Sequence, residues 1–188
     1  MCYNLLMLKK NLQKDYTEGM LKGRMAETLV EELLKKSGNK VYKFGYESIT
    51  QNLVQPDEIF NGNTEVGQKI RTIPDFIVVN KKGIPEFVEV KFRWNAEPNE
   101  KDMLPFQTAA KYWKAPIILV SCKEKPYFRV MMPPYFDAKG NFKTVPLERV
   151  SEWNIDKDAL EHGEELVATY LGSTMINRSK LLGKVLEF

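Results

Sequence analysis

From Thr17 to Ser37 the apolar residues Leu21, Met25, Leu29, Val30, Leu33 and Leu34 recur at three- and four-residue steps, the spacing of one helix face. Thr17 supplies an N-cap for this helix and Gly38 the residue just past its end. Lys40–Tyr46 then alternates as a strand, with Val41, Lys43 and Gly45 set against Tyr42, Phe44 and Tyr46. The pattern fails over Glu47–Thr72, a polar stretch with Pro56, Gly62 and Gly67, which reads as an extended loop or insertion holding at most short elements. Two β-rich runs follow, Ile73–Val79 and Ile84–Trp94. Between them, Asn80-Lys81-Lys82-Gly83 has the residue types of a type I turn closed by a left-handed glycine, so the two runs form a hairpin.

A second helix is expected over Leu104–Lys114, with Pro105 in its first turn and Phe106, Ala109, Ala110 and Trp113 along one side. Ala115–Ser121 and Tyr127–Met132 read as two more strands, and the first is so apolar that it belongs in the middle of a sheet. Beyond Pro133-Pro134 the periodicity weakens. Asp156–Leu171 contains a helical segment, and the tail Arg178–Phe188 is expected to form another. This order of elements indicates an α/β domain with a mixed sheet and helices on its faces.

Length and composition narrow the picture. At 188 residues, 43% hydrophobic and 28% charged, the chain can bury a sizeable core but is short for two domains and a linker. We therefore expect a core over residues 1–135, with 47–72 as an insertion, and a C-terminal extension over 136–188 packed on the same domain. Cys2 and Cys122 lie far apart, in neither a metal-ligand spacing nor a disulfide framework, which fits a reducing compartment. The apolar patch Leu5–Leu8 is too short for a signal segment and no run approaches a membrane span, so a soluble, cytoplasmic protein is expected. A net charge of +3 permits an anionic partner without demanding one. The single histidine, His162, leaves no Ser-His-Asp set and no paired-histidine metal site. Chemistry here falls to carboxylates, lysine or a bound cation.

The hairpin gathers such groups. If Lys81-Lys82-Gly83 is a three-residue loop and Asn80 faces Ile84, Asp75 lies opposite Glu89, with Cβ atoms about 4.5–5.5 Å apart on one face. Lys91 lies on that face too, roughly 7 Å further along at about 3.3 Å per residue. Two acids opposed across a ladder repel, and partial burial makes each ion costlier. A divalent cation removes the penalty, and hard oxygen ligands suit Mg²⁺ or Mn²⁺. A purely solvated outer face is the competing explanation. Against it, Asp75 is the only charge between Ile73 and Val79, where such a face should be polar at Ile77 and Val79 as well.

Pro74-Asp75, followed by Glu89-Val90-Lys91, resembles the signature of the PD-(D/E)xK nuclease superfamily, which includes restriction endonucleases and archaeal Holliday junction resolvases. The order of elements is similar as well: a glutamate-bearing helix first, Gly23-Arg24-Met25-Ala26-Glu27, and a glutamine-bearing helix afterwards, Phe106-Gln107. The likeness covers Lys22–Val120. It implies a restriction-endonuclease-like mixed central sheet flanked by helices, and an Mg²⁺-dependent deoxyribonuclease in which Mn²⁺ can substitute. By that likeness Asp75, Glu89, the Val90 carbonyl and Glu27 bind metal, Lys91 positions the nucleophilic water, and Gln107 supports the site or the phosphate. DNA, including branched or single-stranded forms, is the implied partner, with a homodimer among the arrangements left open.

Other residues carry weaker signals. Glu27 sits at the edge of its helix's apolar arc, near Gly23, Val30 and Leu34, and is either an inward ligand or a surface carboxylate. Gln107, with Lys111 one turn on, fits a site role or a solvated face equally. Arg93 continues the Glu89–Lys91 face toward phosphate, and Arg71, Arg24 and Lys111 are further phosphate candidates. The alternative to an enzyme is a nuclease-fold protein that binds nucleic acid or assembles without turnover.

Overall fold

The computed structural model describes residues 2–45, 63–95 and 100–172. Helix α1 (Cys2–Lys36) opens the chain, followed by β1 (Lys40–Lys43), α2 (Glu65–Arg71), β2 (Phe76–Val79) and β3 (Pro85–Phe92). Then come α3 (Glu100–Tyr112), β4 (Ile117–Val120), β5 (Phe128–Met131), β6 (Val145–Pro146) and α4 (Lys157–Leu166). The strands form one six-stranded sheet in the order β1-β2-β3-β4-β5-β6. Only β3 and β4 run parallel, joined by the crossover through α3; the other neighbours are antiparallel. The fold is mixed α/β, a mixed sheet flanked by helices, as expected.

Several boundaries differ from the sequence reading. Thr17 is not an N-cap: α1 runs through it from Cys2, because the residues ahead of it include no glycine or proline and are rich in Leu, Lys and Met, which favour helix. Its far end matches the expectation. Gly38 sits at φ +85°, its N–H bonds the Lys35 carbonyl at 2.8 Å, and the Asn39 N–H reaches the Leu34 carbonyl at 3.1 Å, the paired bonds of a Schellman stop. Strand β1 ends at Lys43, short of the expected Tyr46.

Within the polar stretch, Thr64 caps a short α2, its side chain accepting from the Gly67 N–H; most of the rest of that stretch lies outside the described residues. Helix α3 starts at Glu100, so Pro105 falls past the first turn rather than inside it, the residues before it, Glu100 included, adding a turn whose acidic start suits a helix N-terminus. Strand β6 was not foreseen; at two residues it is too short for a periodic signal. The tail helix expected over 178–188 lies outside the described residues.

Alternation across the strands sorts two cores onto the two faces of the sheet. Phe76, Val78, Val88, Val90, Ile118, Val120, Phe128 and Val130 pack with Ala26, Val30, Leu33 and Leu34 of α1. Leu147, Trp153, Val167 and Leu171 join this same cluster, and Asn39 donates to the Trp153 carbonyl at 2.8 Å. On the opposite face, Ile117, Leu119 and Met131 pack with Phe106 of α3 and with Tyr135. Among the described residues, no helix is long and apolar enough to cross a membrane.

Candidate active site

The turn holds the hairpin in the expected register. Gly83, at φ +79°, donates to the Asn80 carbonyl at 2.8 Å, and the Asn80 N–H reaches Ile84 O at 3.1 Å. The Asn80 side chain accepts from the Lys82 and Ile84 N–H groups, fixing the loop from within. Pairing then runs Val79↔Pro85 through Phe76↔Val88, so Asp75, one residue before β2, comes opposite Glu89.

Because Val88 and Val90 face α1, Glu89 and Lys91 face the other way, toward α3 and Tyr135. The Glu89 N–H donates to the Pro116 carbonyl at 2.9 Å, anchoring the strand to the start of β4. Tyr135, 1% exposed, donates its hydroxyl to the adjoining Ala115 carbonyl. Burial, with the nearby Glu89 charge, pushes the Tyr135 phenol up to about 12, so it stays a neutral donor.

Asp75 is held from several sides. Its carbonyl accepts from the Phe44 and Gly45 N–H groups at 2.8 and 3.1 Å, and its Oδ2 accepts from the Val90 N–H at 2.7 Å. Gly45, two residues past β1, stands in ordinary contact with Asp75: a Cβ there would lie 3.4 Å from Asp75 Cα and 3.5 Å from Oδ1. The alternation over Lys40–Tyr46 makes Gly45 one more strand position, but β1 ends two residues before it. Its part in the site is a backbone N–H on the Asp75 carbonyl, which any residue but proline can supply, so the residue type carries no signal for it.

The charges are unequally screened. The Lys91 ammonium pairs with Glu89 Oε1, the Glu89 side chain being 14% exposed and that of Lys91 36%. Burial, then the neighbouring Glu89 charge and a hydrogen bond with Glu89, push the Asp75 carboxyl up to about 7, against the opposing pull of Lys91 and the Val90 N–H. Burial works against the Lys91 charge as well, but the two carboxylates outweigh it and its pKa lies above the usual lysine value. A solvated outer face would leave Asp75 near its ordinary value. The arrangement is instead a buried acid that keeps its proton to about 7, facing a second carboxyl beside a lysine that stays charged, and a divalent ion can take the place of the Asp75 proton.

The remaining candidates are placed as follows. Among the described residues, no three His, Cys, Asp or Glu side chains are gathered as a metal cage; the fold brings together the pair Asp75 and Glu89. Glu27 is half-buried on α1, whose core side packs against the face opposite Glu89 and Lys91. Arg24 is exposed on α1, where it lines a shallow cavity of about 310 Å³ with Leu21, Met25 and Tyr170. Gln107 and Lys111 are exposed on α3, whereas Phe106 is the residue that enters the core. Arg93 is half-buried, its guanidinium donating to the Phe92 carbonyl and lying 5.9 Å from the Phe106 ring. Arg71 ends α2, a short connection ahead of Asp75.

No protein-family model matches the chain, and no curated protein matches it significantly. Among solved structures, the chain is similar to Hjc of Archaeoglobus fulgidus, a Holliday junction resolvase from an archaeal hyperthermophile. The two are 16% identical, the match covers 74% of this chain and 97% of that one, and the TM-score is 0.36. A superposition that loose leaves the functional reading to the residues themselves.

Proposed function

We propose that this chain is a PD-(D/E)xK-type nuclease that hydrolyses DNA phosphodiester bonds with a divalent metal ion, Mg²⁺ or Mn²⁺. The observation that carries the proposal is the juxtaposition of the Asp75 and Glu89 carboxyls, with Lys91 on the Glu89 oxygen. The residues fit such an ion: Asp75 sits near pH 7 because its negative charge lacks a counter-charge strong enough to offset burial and Glu89. Mg²⁺ accepts one or two protein carboxylates and keeps its other positions for water and phosphate. Asp75, Glu89 and the Val90 carbonyl would hold it; Glu27, on the helix that covers the other face, is not part of this set. When bound, the ion supplies Lewis-acid polarisation of the phosphate and a water of lowered pKa.

The chain's own groups do the rest. Asp75, fixed by the Val90 N–H, is positioned without reorganisation, and Glu89 is pinned through Pro116. Lys91, still charged and about a third exposed, orients the attacking water and offsets the charge developing on the phosphate oxygens. Gln107 supports the phosphate from α3. A homodimer would supply two such sites for the two strands of a duplex or a junction; the substrate on this reading is cytoplasmic DNA.

The test is incubation with plasmid, linear and branched DNA in Mg²⁺ or Mn²⁺, with Asp75→Ala and Lys91→Ala alongside. Each substitution is expected to lower cleavage about a hundredfold or more. Cleavage that needs no metal, or that survives both substitutions, would overturn the proposal. So would the absence of cleavage on every substrate, which would leave a binding protein without turnover.

A further inference from the structure

On the face of the sheet that carries Glu89 and Lys91, two helix ends meet. Trp113, just past α3, donates its indole N–H to the Lys69 carbonyl of α2 at 3.2 Å, and the Lys69 ammonium lies 5.9 Å from its ring. The same indole stands 5.3 Å edge-on from Phe87, which precedes Glu89 by two residues on the same strand face, and 6.1 Å from Phe44, whose N–H binds the Asp75 carbonyl. Trp113 therefore braces the ends of α2 and α3 against the backbone that holds both carboxyls.

Four cations project from this braced ridge, Lys69 and Arg71 from the last turn of α2, Lys111 from the last turn of α3, and Lys114 just beyond it, all exposed. Lys114 is at φ +49°, a left-handed position that favours glycine, yet it carries a lysine. Cations near helix C-termini also complement the helix dipole, but that accounts only for Lys69, Arg71 and Lys111 and only for interactions within the protein.

We propose that Lys69, Arg71, Lys111 and Lys114 form the strip that holds the sugar-phosphate backbone of DNA beside the Asp75–Glu89 pair. The inference rests on the nuclease reading for its substrate, and it adds where the strand runs. Trp113 is the brace, and the face over α1, where Arg24 lies, is not the track. The partner is identified by charge: a polyanion of regularly spaced phosphates matches an exposed cationic ridge whose base is rigid.

Binding of a short fluorescein-labelled DNA duplex, followed by anisotropy in EDTA over a range of salt concentrations, tests this apart from cleavage. The variant K69Q/R71Q/K111Q/K114Q is compared with K36Q/K40Q/K82Q/K139Q, which removes equal charge from exposed lysines elsewhere. Each phosphate contact contributes about 0.9 to the slope of log affinity against log salt. The strip variant, with four contacts removed, is expected to lose about three and a half units of slope and to bind at least tenfold more weakly, with the control near wild type. An unchanged slope in the strip variant, or an equal loss in the control, overturns the strip. If wild type cleaves DNA while the strip variant binds normally, the strip fails and the nuclease stands. If DNA binds through the strip but is never cleaved with metal, the reverse holds.

Discussion

On one face of the β2–β3 hairpin, Phe76, Val78, Val88 and Val90 are buried against α1; on the other, one residue out of phase, Asp75, Glu89 and Lys91 share a partly buried patch. The backbone is the same and its hydrogen bonds serve both faces. What differs is the use of burial. Against α1, burial removes apolar area from water and stabilises the fold. On the opposite face it raises the energy of a carboxylate, which is of use only to something that will neutralise it. The comparison teaches that the two faces should respond to substitution with opposite signs.

The largest effect belongs to the apolar face. Phe76 is 2% exposed, and Phe76→Ala is expected to cost about 3–5 kcal/mol in urea unfolding, the usual range for a buried aromatic. A loss well under 1 kcal/mol would mean that this face does not carry the stability.

Asp75→Asn should do the reverse. The carboxyl titrates near 7 in the folded chain and near 3.8 as an isolated group, so the folded protein binds the extra proton between those values. Stability attributable to Asp75 is therefore complete below about pH 4 and falls as pH rises through 7. Asparagine keeps an acceptor for the Val90 N–H and gains a donor for Glu89, so the metal-free variant should be the more stable at pH 8, by up to roughly 4 kcal/mol. The gap should close as the pH approaches 4. A variant less stable than wild type at pH 8 would show that Asp75 is a structural anion.

Metal gives a somewhat smaller shift. At pH 8, Mg²⁺ or Mn²⁺ at a hundredfold excess over its Kd should stabilise wild type by about 2.7 kcal/mol in thermal unfolding. Asp75→Asn should respond far less, and the wild-type response should fade below about pH 7 as the proton competes. Equal responses in both proteins would place the ion elsewhere.

The smallest effect is the loss of a single hydrogen bond. Tyr135→Phe removes the donor to the Ala115 carbonyl beside the Glu89 anchor and should cost about 0.5–1.5 kcal/mol, measured by urea midpoint. No change would mean that the Ala115–Pro116 segment is held without it.

How much of this was legible along the chain follows from how far each feature reaches. The hairpin register, the left-handed Gly83 and the helix stop at Gly38 depend on residues within a few positions of one another, so turn chemistry and alternation determined them. By the same token, the placing of Asp75, Glu89 and Lys91 on one face followed from a period of two. The start of α1 was misread because a threonine able to cap a helix does not end one when helix formers precede it.

Only the tertiary structure decided which face α1 covers, that the Gly45 N–H reaches the Asp75 carbonyl, and that Trp113 links Lys69 to Phe87. These contacts join segments far apart in sequence, and no local propensity reports on them. The pKa of Asp75 is of the same kind. The residue types set the sign of each interaction, but packing sets the distances and the burial that decide which of them wins.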